Sequence, residues 1–253
     1  MIPTDATLGV AGLPQSATGQ TALLTGINAP RLVGRHVTAY PTKELRGVLT
    51  ERNLFAQVQA IGGTVALANA YTDEYFTAVE EGRLRHAAIT FSALAAGVRM
   101  RRLDDLRAGR AVFHDLTNAR ARAWGHDVPE ITPHQAGRYL AGIAAECHLT
   151  VFEFFLTDLA AHGRGDHPPV RVIEMLDALL AGVVEAADLA RMLIVLASDH
   201  GNIEAGEVNT HTRNPVPTLL LGHGRGEVGA RIAAITDITP ALVAWLAGGF
   251  RRG

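Results

Sequence analysis

The sequence predicts an α/β layered fold with a mostly parallel sheet and a small inserted helical cap. Three observations carry that reading. Four short apolar runs have the continuity of strands buried on both faces, helix-length amphipathic segments separate them, and residues 71–148 hold no strong strand run.

Residues 42–61 read as a helix leading into the first apolar run, 64–69 (TVALAN). The following stretch is rich in arginine and histidine and carries turn signals at Glu81-Gly82 and Ala108-Gly109. It closes with helical periodicity over 132–147 and is followed by a second apolar run, 150–156 (TVFEFFL). A helix over 170–184 precedes the third run, 192–197 (MLIVLA), and the fourth is 217–221 (PTLLL). A last helix is expected near Thr236-Asp237, a polar cap placed before Pro240, because proline is tolerated in a first helical turn. The expected core is therefore 1–70 with 149–253, and 71–148 is the cap.

Composition narrows the function. A chain of 253 residues, 48% hydrophobic and 19% charged, suits one substantial domain with a modest insertion. A net charge of −2 with no run of five like charges points away from nucleic acid and membrane surfaces. Small phosphorylated molecules stay compatible, since a local metal or arginine cluster attracts them. Cys147 is the sole cysteine, so no intrachain disulfide forms, and it reads as inert packing. The first residues lack the basic region and apolar stretch of a signal peptide. No apolar run reaches the ~20 residues that span a bilayer, and a cytoplasmic address is expected.

Ligands bind outside the carboxyl ends of strands in open α/β sheets, and three runs lead into or follow acid and histidine residues. The run 192–197 ends in Ser198-Asp199-His200-Gly201-Asn202, and 150–156 ends in Thr157-Asp158-Leu159-Ala160-Ala161-His162. Ahead of Pro217 stands His211-Thr212-Arg213-Asn214-Pro215-Val216. Carboxylate oxygens and imidazole nitrogens at one sheet edge are what Zn²⁺ or Mn²⁺ needs. The spacing of Asp158 and His162 puts both on one face of a helical turn. Each element alone has a plainer reading: Asp158 as a helix cap, and His200 or His211 as an ordinary histidine. His114 and His167, each beside an aspartate, are the exceptions among the remaining histidines. Near the N-terminus, Ser16-Ala17-Thr18-Gly19-Gln20 precedes a helical stretch. A serine there meets backbone N–H groups and the positive end of a helix dipole, or is simply an N-cap. Gly19 would allow close backbone approach.

Together these segments resemble the alkaline phosphatase superfamily, and most nearly the cofactor-independent (2,3-bisphosphoglycerate-independent) phosphoglycerate mutases and phosphopentomutases. Asp199-His200-Gly201-Asn202-Ile203-Glu204 followed by residues 211–217 resembles their C-terminal metal signature, and Asp158 with His162 their Asp-x-x-x-His pair. Ser16-Ala17-Thr18-Gly19 sits where the family has its nucleophile segment, and residues 236–242 resemble its closing helix. The resemblance implies a three-layer alkaline-phosphatase-like core and two divalent metal ions, Mn²⁺ or Zn²⁺. Asp158, His162 and His211 would hold one ion. Asp199 and His200 would hold the other, with Ser16 Oγ as nucleophile. Arg164 and Arg213 adjoin these motifs as candidates for a substrate phosphate.

The chain departs from the family in three ways. The family opens with a strand ending in Asp-Gly whose aspartate binds the serine-side metal. The residues before Ser16 hold no such strand, and Asp5 is the only acid among them. Gln20 replaces a histidine, and the insertion is shorter than the mutase substrate domain. The expected function is metal-dependent phosphoryl transfer, as a phosphatase or phosphomutase, on a small phosphorylated metabolite. The alternative is a catalytically silent, truncated member that binds metal or a partner. A metallopeptidase is disfavoured, because the chain has no His-Glu-x-x-His helix.

Overall fold

A computed structural model describes residues 1–206 and 208–250 of the chain. Position 207 and the last residues of the expected core segment, 251–253, lie outside the described residues.

The chain is a mixed α/β protein. In order it forms β1 (Ile2–Thr4), α1 (Ser16–Thr25), α2 (Ala29–Leu32), α3 (Lys43–Glu51), α4 (Leu54–Ala60) and β2 (Val65–Leu67). Then come α5 (Asp73–Glu80), α6 (Ala88–Ala95), α7 (Leu103–Arg107), α8 (Ala119–Ala123) and α9 (Pro133–Ala145). They are followed by β3 (Leu149–Val151), α10 (Leu156–Ala161), α11 (Pro169–Ala186), β4 (Leu193–Leu196) and β5 (Val216–Gly222). The chain closes with α12 (Arg225–Gly229), a 3₁₀ turn at Ile235–Asp237, and α13 (Ile238–Phe250).

The expectation of a mostly parallel sheet is corrected. β2 and β3 pair in parallel, but β1–β5–β4 is an antiparallel three-stranded sheet, with Ile2 opposite Thr218 and Val195 opposite Leu220. The physical reason lies in the connections. Among the described residues no helix lies between β4 and β5, and without a crossover the chain can only return antiparallel. β1 was not anticipated, because its three residues show no alternation and Pro3 argues against a strand. Pro3 lies on an edge strand opposite Pro217, where a missing N–H is tolerated.

Other differences are local. The helix expected over 42–61 is two, broken at Arg52-Asn53. Asn53 caps α4 through Ala56 N–H at 2.9 Å while its amide donates to Leu49 O at 2.8 Å. The second apolar run is strand only at Leu149–Val151, and Leu156 already opens α10. Thr132 caps α9 and Asp237 caps the chain entering α13, close to where the sequence placed them.

α1 is buried on almost every side, and its hydroxyls are satisfied internally, Thr21 and Thr25 each donating to the carbonyl four residues back at 2.6 Å. Leu23 of α1, Val65 of β2, Leu149 and Val151 of β3, and Val243 and Leu246 of α13 pack around one buried cluster that includes Leu24 and Leu49. Leu23 also joins a second cluster, in which Leu193 and Val195 of β4, Leu220 of β5 and Trp245 of α13 pack around buried Leu242 and Ile238. Residues 71–148 carry α5 to α9. α6 joins the cluster around Phe55, Leu67 and Val151, and bridges tie Val112 to Asn69 and Arg101 to Ala70. Cys147 is half-buried against Ala66 and Ile143. Among the described residues, no helix is long and apolar enough to cross a membrane.

α9 and α11 meet through glycines. A Cβ on Gly137 would lie 2.0 Å from Leu179 O, and one on Gly182 would lie 2.0 Å from His134 O. Gly182→Ala should therefore force the helices apart and cost about 1–3 kcal/mol. Gly142→Ala, in the same helix as Gly137 but with open space around it, should be neutral or slightly stabilising. Thermal melts of the two variants check this, and equal melting temperatures would count against the glycine contact.

Candidate metal centre

Three separate segments bring the candidate ligands together. α10 begins at Leu156, so Asp158 stands in its first turn and His162 is its C-terminal cap, one turn away on the same face. Asp199 and His200 follow β4, and His211 precedes β5. Asp158 Oδ1 lies 3.3 Å from His162 Nε2, 3.3 Å from His211 Nε2 and 3.9 Å from His200 Nε2. The His162 and His211 Nε2 atoms are 3.1 Å apart, and the His200 and His211 rings stack at 3.7 Å.

The tautomers define the chemistry. His211 Nδ1 donates to Pro14 O at 2.7 Å and His162 Nδ1 donates to Asn209 O at 3.1 Å, because a carbonyl oxygen only accepts. In the neutral rings both Nε2 atoms then carry bare lone pairs, and they point at each other and at a carboxylate. Apart from the Asn202 amide, which donates to Asp158 Oδ1 at 2.8 Å, the cluster is made of acceptors and calls for a positive charge, either a proton or a metal ion, and carbonyl-oriented imidazoles are the usual supports of a metal ligand. Asp158, His200 and His211 offer ligand atoms within 4.8 Å of one another. The nitrogen and oxygen donor set suits Zn²⁺ or Mn²⁺.

The charges follow from this geometry. Burial opposes ionisation of Asp158. Hydrogen bonds with His211 and Asn202, helped by the charges of His200 and His162, outweigh it and bring the carboxyl down to about 2. Burial likewise works against a charged His211, but Asp158 and the Pro14 carbonyl raise its pKa above the ordinary value. Asp199 is raised, mainly by burial.

Ser16 Oγ sits 3.1 Å from His200 Nε2, and Asp199 Oδ2 lies 3.7 Å from that same nitrogen. Ser16 is the first residue of α1 and Gln15 is its cap, so the serine hydroxyl is not spent on capping. The helix start is less open to anions than the sequence suggested, because Ala17 and Thr18 N–H already donate to Val37 O. Gly19 allows α1 to touch the Asp199 turn: a Cβ there would fall 2.4 Å from Asp199 O. Arg213 Nε donates to Gly12 O at 3.0 Å, which ties the loop ahead of Ser16 to the segment carrying His211. Arg164 is exposed beyond α10. Asp5 is used elsewhere, its carboxylate accepting from Thr7 N–H and hydroxyl and from Leu8 N–H. His114 lies against Phe155, with burial pushing it down to about 4.

Several participants were not singled out from sequence. Asn202 donates to Asp158 Oδ1 at 2.8 Å. Glu204 accepts from Asn202 N–H and from Thr212 Oγ1, and so clasps the two ligand loops. Glu153 accepts from Gln20 Nε2 at 3.1 Å, and burial, reinforced by Asp199, pushes it up to about 7. A carboxylate inside the apolar run 150–156 was the signal that could have marked it. Among the described residues, Gln20 Oε1 and Asp199 Oδ2 are buried without hydrogen-bond partners.

Comparison with known proteins bears out the resemblance read from the sequence. Residues 139–245 match the family model of the Metalloenzyme superfamily, a stretch that contains Asp158, His162, Asp199, His200 and His211 but not Ser16. A 2,3-bisphosphoglycerate-independent phosphoglycerate mutase from Ruegeria pomeroyi is 28% identical over 124 residues, 46% of this chain and 24% of that protein. The protein of the same name from Thermococcus kodakarensis is 31% identical over 130 residues, 47% of this chain and 31% of that protein. The chain thus spans between 24% and 31% of the length of these relatives. The PH0037 protein from Pyrococcus horikoshii superposes with a TM-score of 0.47 at 16% identity, covering 76% of this chain and 51% of that one.

Two outcomes are expected. Gly19→Ala should push Asp199 and His200 away from α1, lowering the melting temperature by roughly 3–10 °C and metal content with it. Retained metal content at a lowered melting temperature would show that the glycine serves packing alone. Because Asp158 favours a protonated His211, a metal ion must displace that proton. Metal affinity should therefore keep rising as pH climbs above His211's ordinary 6.5, which calorimetric titrations at several pH values would read. In the ion-free protein the same proton stabilises the fold most below that value, and the contribution is lost as pH rises through the raised pKa.

Proposed function

We propose that this protein is a metal-dependent phosphoryl-transfer enzyme, a phosphatase or phosphomutase, acting on a small phosphorylated metabolite. In this reading Ser16 is the nucleophile and two divalent ions, Mn²⁺ or Zn²⁺, are held by Asp158, His162 and His211 and by Asp199 and His200. The observation that carries it is the acceptor-rich cluster in which His162 Nε2 and His211 Nε2 converge on Asp158 Oδ1, set one histidine away from the Ser16 hydroxyl. The match to the Metalloenzyme superfamily and the likeness to relatives named as phosphoglycerate mutases support it. We further read the fold as a three-layer core with 71–148 as its cap.

Divalent ions at these ligands would supply the positive charge that favours serine deprotonation and offsets charge on the transferring phosphoryl group. The chain's own residues do the positioning. His200 Nε2 holds Ser16 Oγ by a hydrogen bond, and the buried start of α1 fixes the serine's direction. Ser16 Oγ would bond to phosphorus as the ester oxygen opposite it departs, giving a phosphoserine. Water then releases phosphate in a phosphatase, whereas a mutase returns the group to another hydroxyl. Arg164 and Arg213 are offered as phosphate contacts, their planar forks matching phosphate oxygens. One observation favours the second reading, a catalytically silent metal-binding or interaction protein: Asp5 is committed to its own turn and gives the serine side no further carboxylate.

Ser16→Ala should lower p-nitrophenyl phosphate turnover by at least about 10³-fold while leaving metal content, measured by elemental analysis, unchanged. Turnover that survives the substitution rules out the serine as nucleophile. A wild-type chain that binds metal without turnover supports the silent reading.

A further inference from the structure

Two carboxyl groups stripped of much of their water meet on one helix. Glu153 follows β3 and Asp199 follows β4. α1 touches both, because Gly19 lies against the Asp199 backbone and Gln20 Nε2 donates to Glu153 Oε1 at 3.1 Å. Ser16 and Gln20, four residues apart, share one face of that helix. The backbone of Glu153 is also fixed. The buried amide of Asn69 accepts from Glu153 N–H and donates to Glu153 O, each at 2.8 Å, which sets the direction of the glutamate side chain.

The oxygens at this meeting point are poorly served. Among the described residues, the Glu153 carboxylate accepts only from Gln20, and both Asp199 Oδ2 and Gln20 Oε1 are enclosed with no partner. The opposing charges that act on Asp199 come from His200 and His211, and the charge that Glu153 feels is the like charge of Asp199. Two carboxylates enclosed together are costly unless a proton or a cation stands with them. Asp199 Oδ2 lies 3.7 Å from His200 Nε2, the nitrogen that Ser16 Oγ approaches to 3.1 Å. The unserved oxygen therefore stands beside the meeting of serine and imidazole. Gln20 presents Glu153 on the side of α1 that presents Ser16 to His200.

We propose that Glu153 is the second carboxylate of the serine-side ion, binding it together with Asp199, His200 and Ser16. The assignment rests on the two-ion reading of the site and adds to it a ligand from the end of β3. One carboxylate and one imidazole leave a divalent ion short of protein ligands, of which three are usual at a catalytic ion. Glu153 also brings the negative charge that Asp5, committed to its own turn, does not.

The test is calorimetric titration of the 253-residue chain with Mn²⁺ and with Zn²⁺. His162→Ala isolates the serine-side ion, and Asp199→Asn isolates the other. In the His162→Ala background, Glu153→Gln should weaken the remaining ion at least about 10-fold. In the Asp199→Asn background it should change affinity by less than about 2-fold. Glutamine keeps an oxygen for the Gln20 amide, so the ion-free Glu153→Gln chain should melt within about 3 °C of the parent or above it. Glu153→Asp, which keeps the charge, should hold the serine-side ion more tightly than Glu153→Gln. Equal affinity with and without Glu153→Gln in the His162→Ala background overturns the glutamate as ligand and leaves the two-ion reading standing. Equal losses in the Gln and Asp variants, with lowered melting, also overturn it by assigning Glu153 to packing. If neither the His162→Ala chain nor the parent binds an ion that Asp199→Asn removes, both readings fall.

Discussion

The convergence of His162 Nε2 and His211 Nε2 on Asp158 Oδ1 is the constraint around which the candidate site is arranged. Both rings are turned by backbone carbonyls, Asn209 O and Pro14 O, so in the neutral rings the remaining nitrogens have no proton to offer each other. Lone pairs at 3.1–3.3 Å are held together only if positive charge sits among them. In the ion-free protein a proton on His211 meets that need, which is why burial fails to lower its pKa. An ion bound there meets it more fully and must first remove the proton.

That arrangement requires loops from distant parts of the chain to hold still. Glu204 does so on one side, bonding both Asn202 and Thr212, and the Gly201–Thr212 bridge reinforces it. On the other side α1 is pressed against the Asp199 turn through Gly19, so that Ser16, one turn earlier, meets His200. Gln20, one turn after Ser16, meets Glu153. One buried helix thus sets the serine, the aspartate turn and the enclosed glutamate in common register.

Much of this was legible in the sequence. The Asp158–His162 spacing, the 199–204 and 211–217 segments, and the need for glycine at position 19 all appear as residue types at telling separations. Those signals are local, and local chemistry survives in one dimension. What escaped was decided by pairing and by neighbours. An apolar run such as 192–197 looks the same whether its partner is parallel or antiparallel, so sheet direction was misjudged. The break at Arg52-Asn53 hides in a continuous helical pattern, because asparagine caps a helix as readily as it sits within one. Asn202 and Glu204 lay inside a recognised motif, but their work of steadying other groups shows only in three dimensions. Ser16 was expected ahead of its helix and is its first residue, a shift of one position that frees the hydroxyl.

The ties at the head of the chain also bear on when the site can exist. His211 rests on Pro14 across a separation of 197 residues, Arg213 on Gly12 across 201, and Ser16 meets His200 across 184. Contacts of such span close long loops, whose entropy must be met before the contacts can stabilise the fold. Were an ion held at these residues, its site would be complete only once the segments carrying Pro14, Ser16, His200 and His211 had met. An ion bound there would in turn tie those distant segments together, so that its affinity would report on long-range topology as much as on local chemistry.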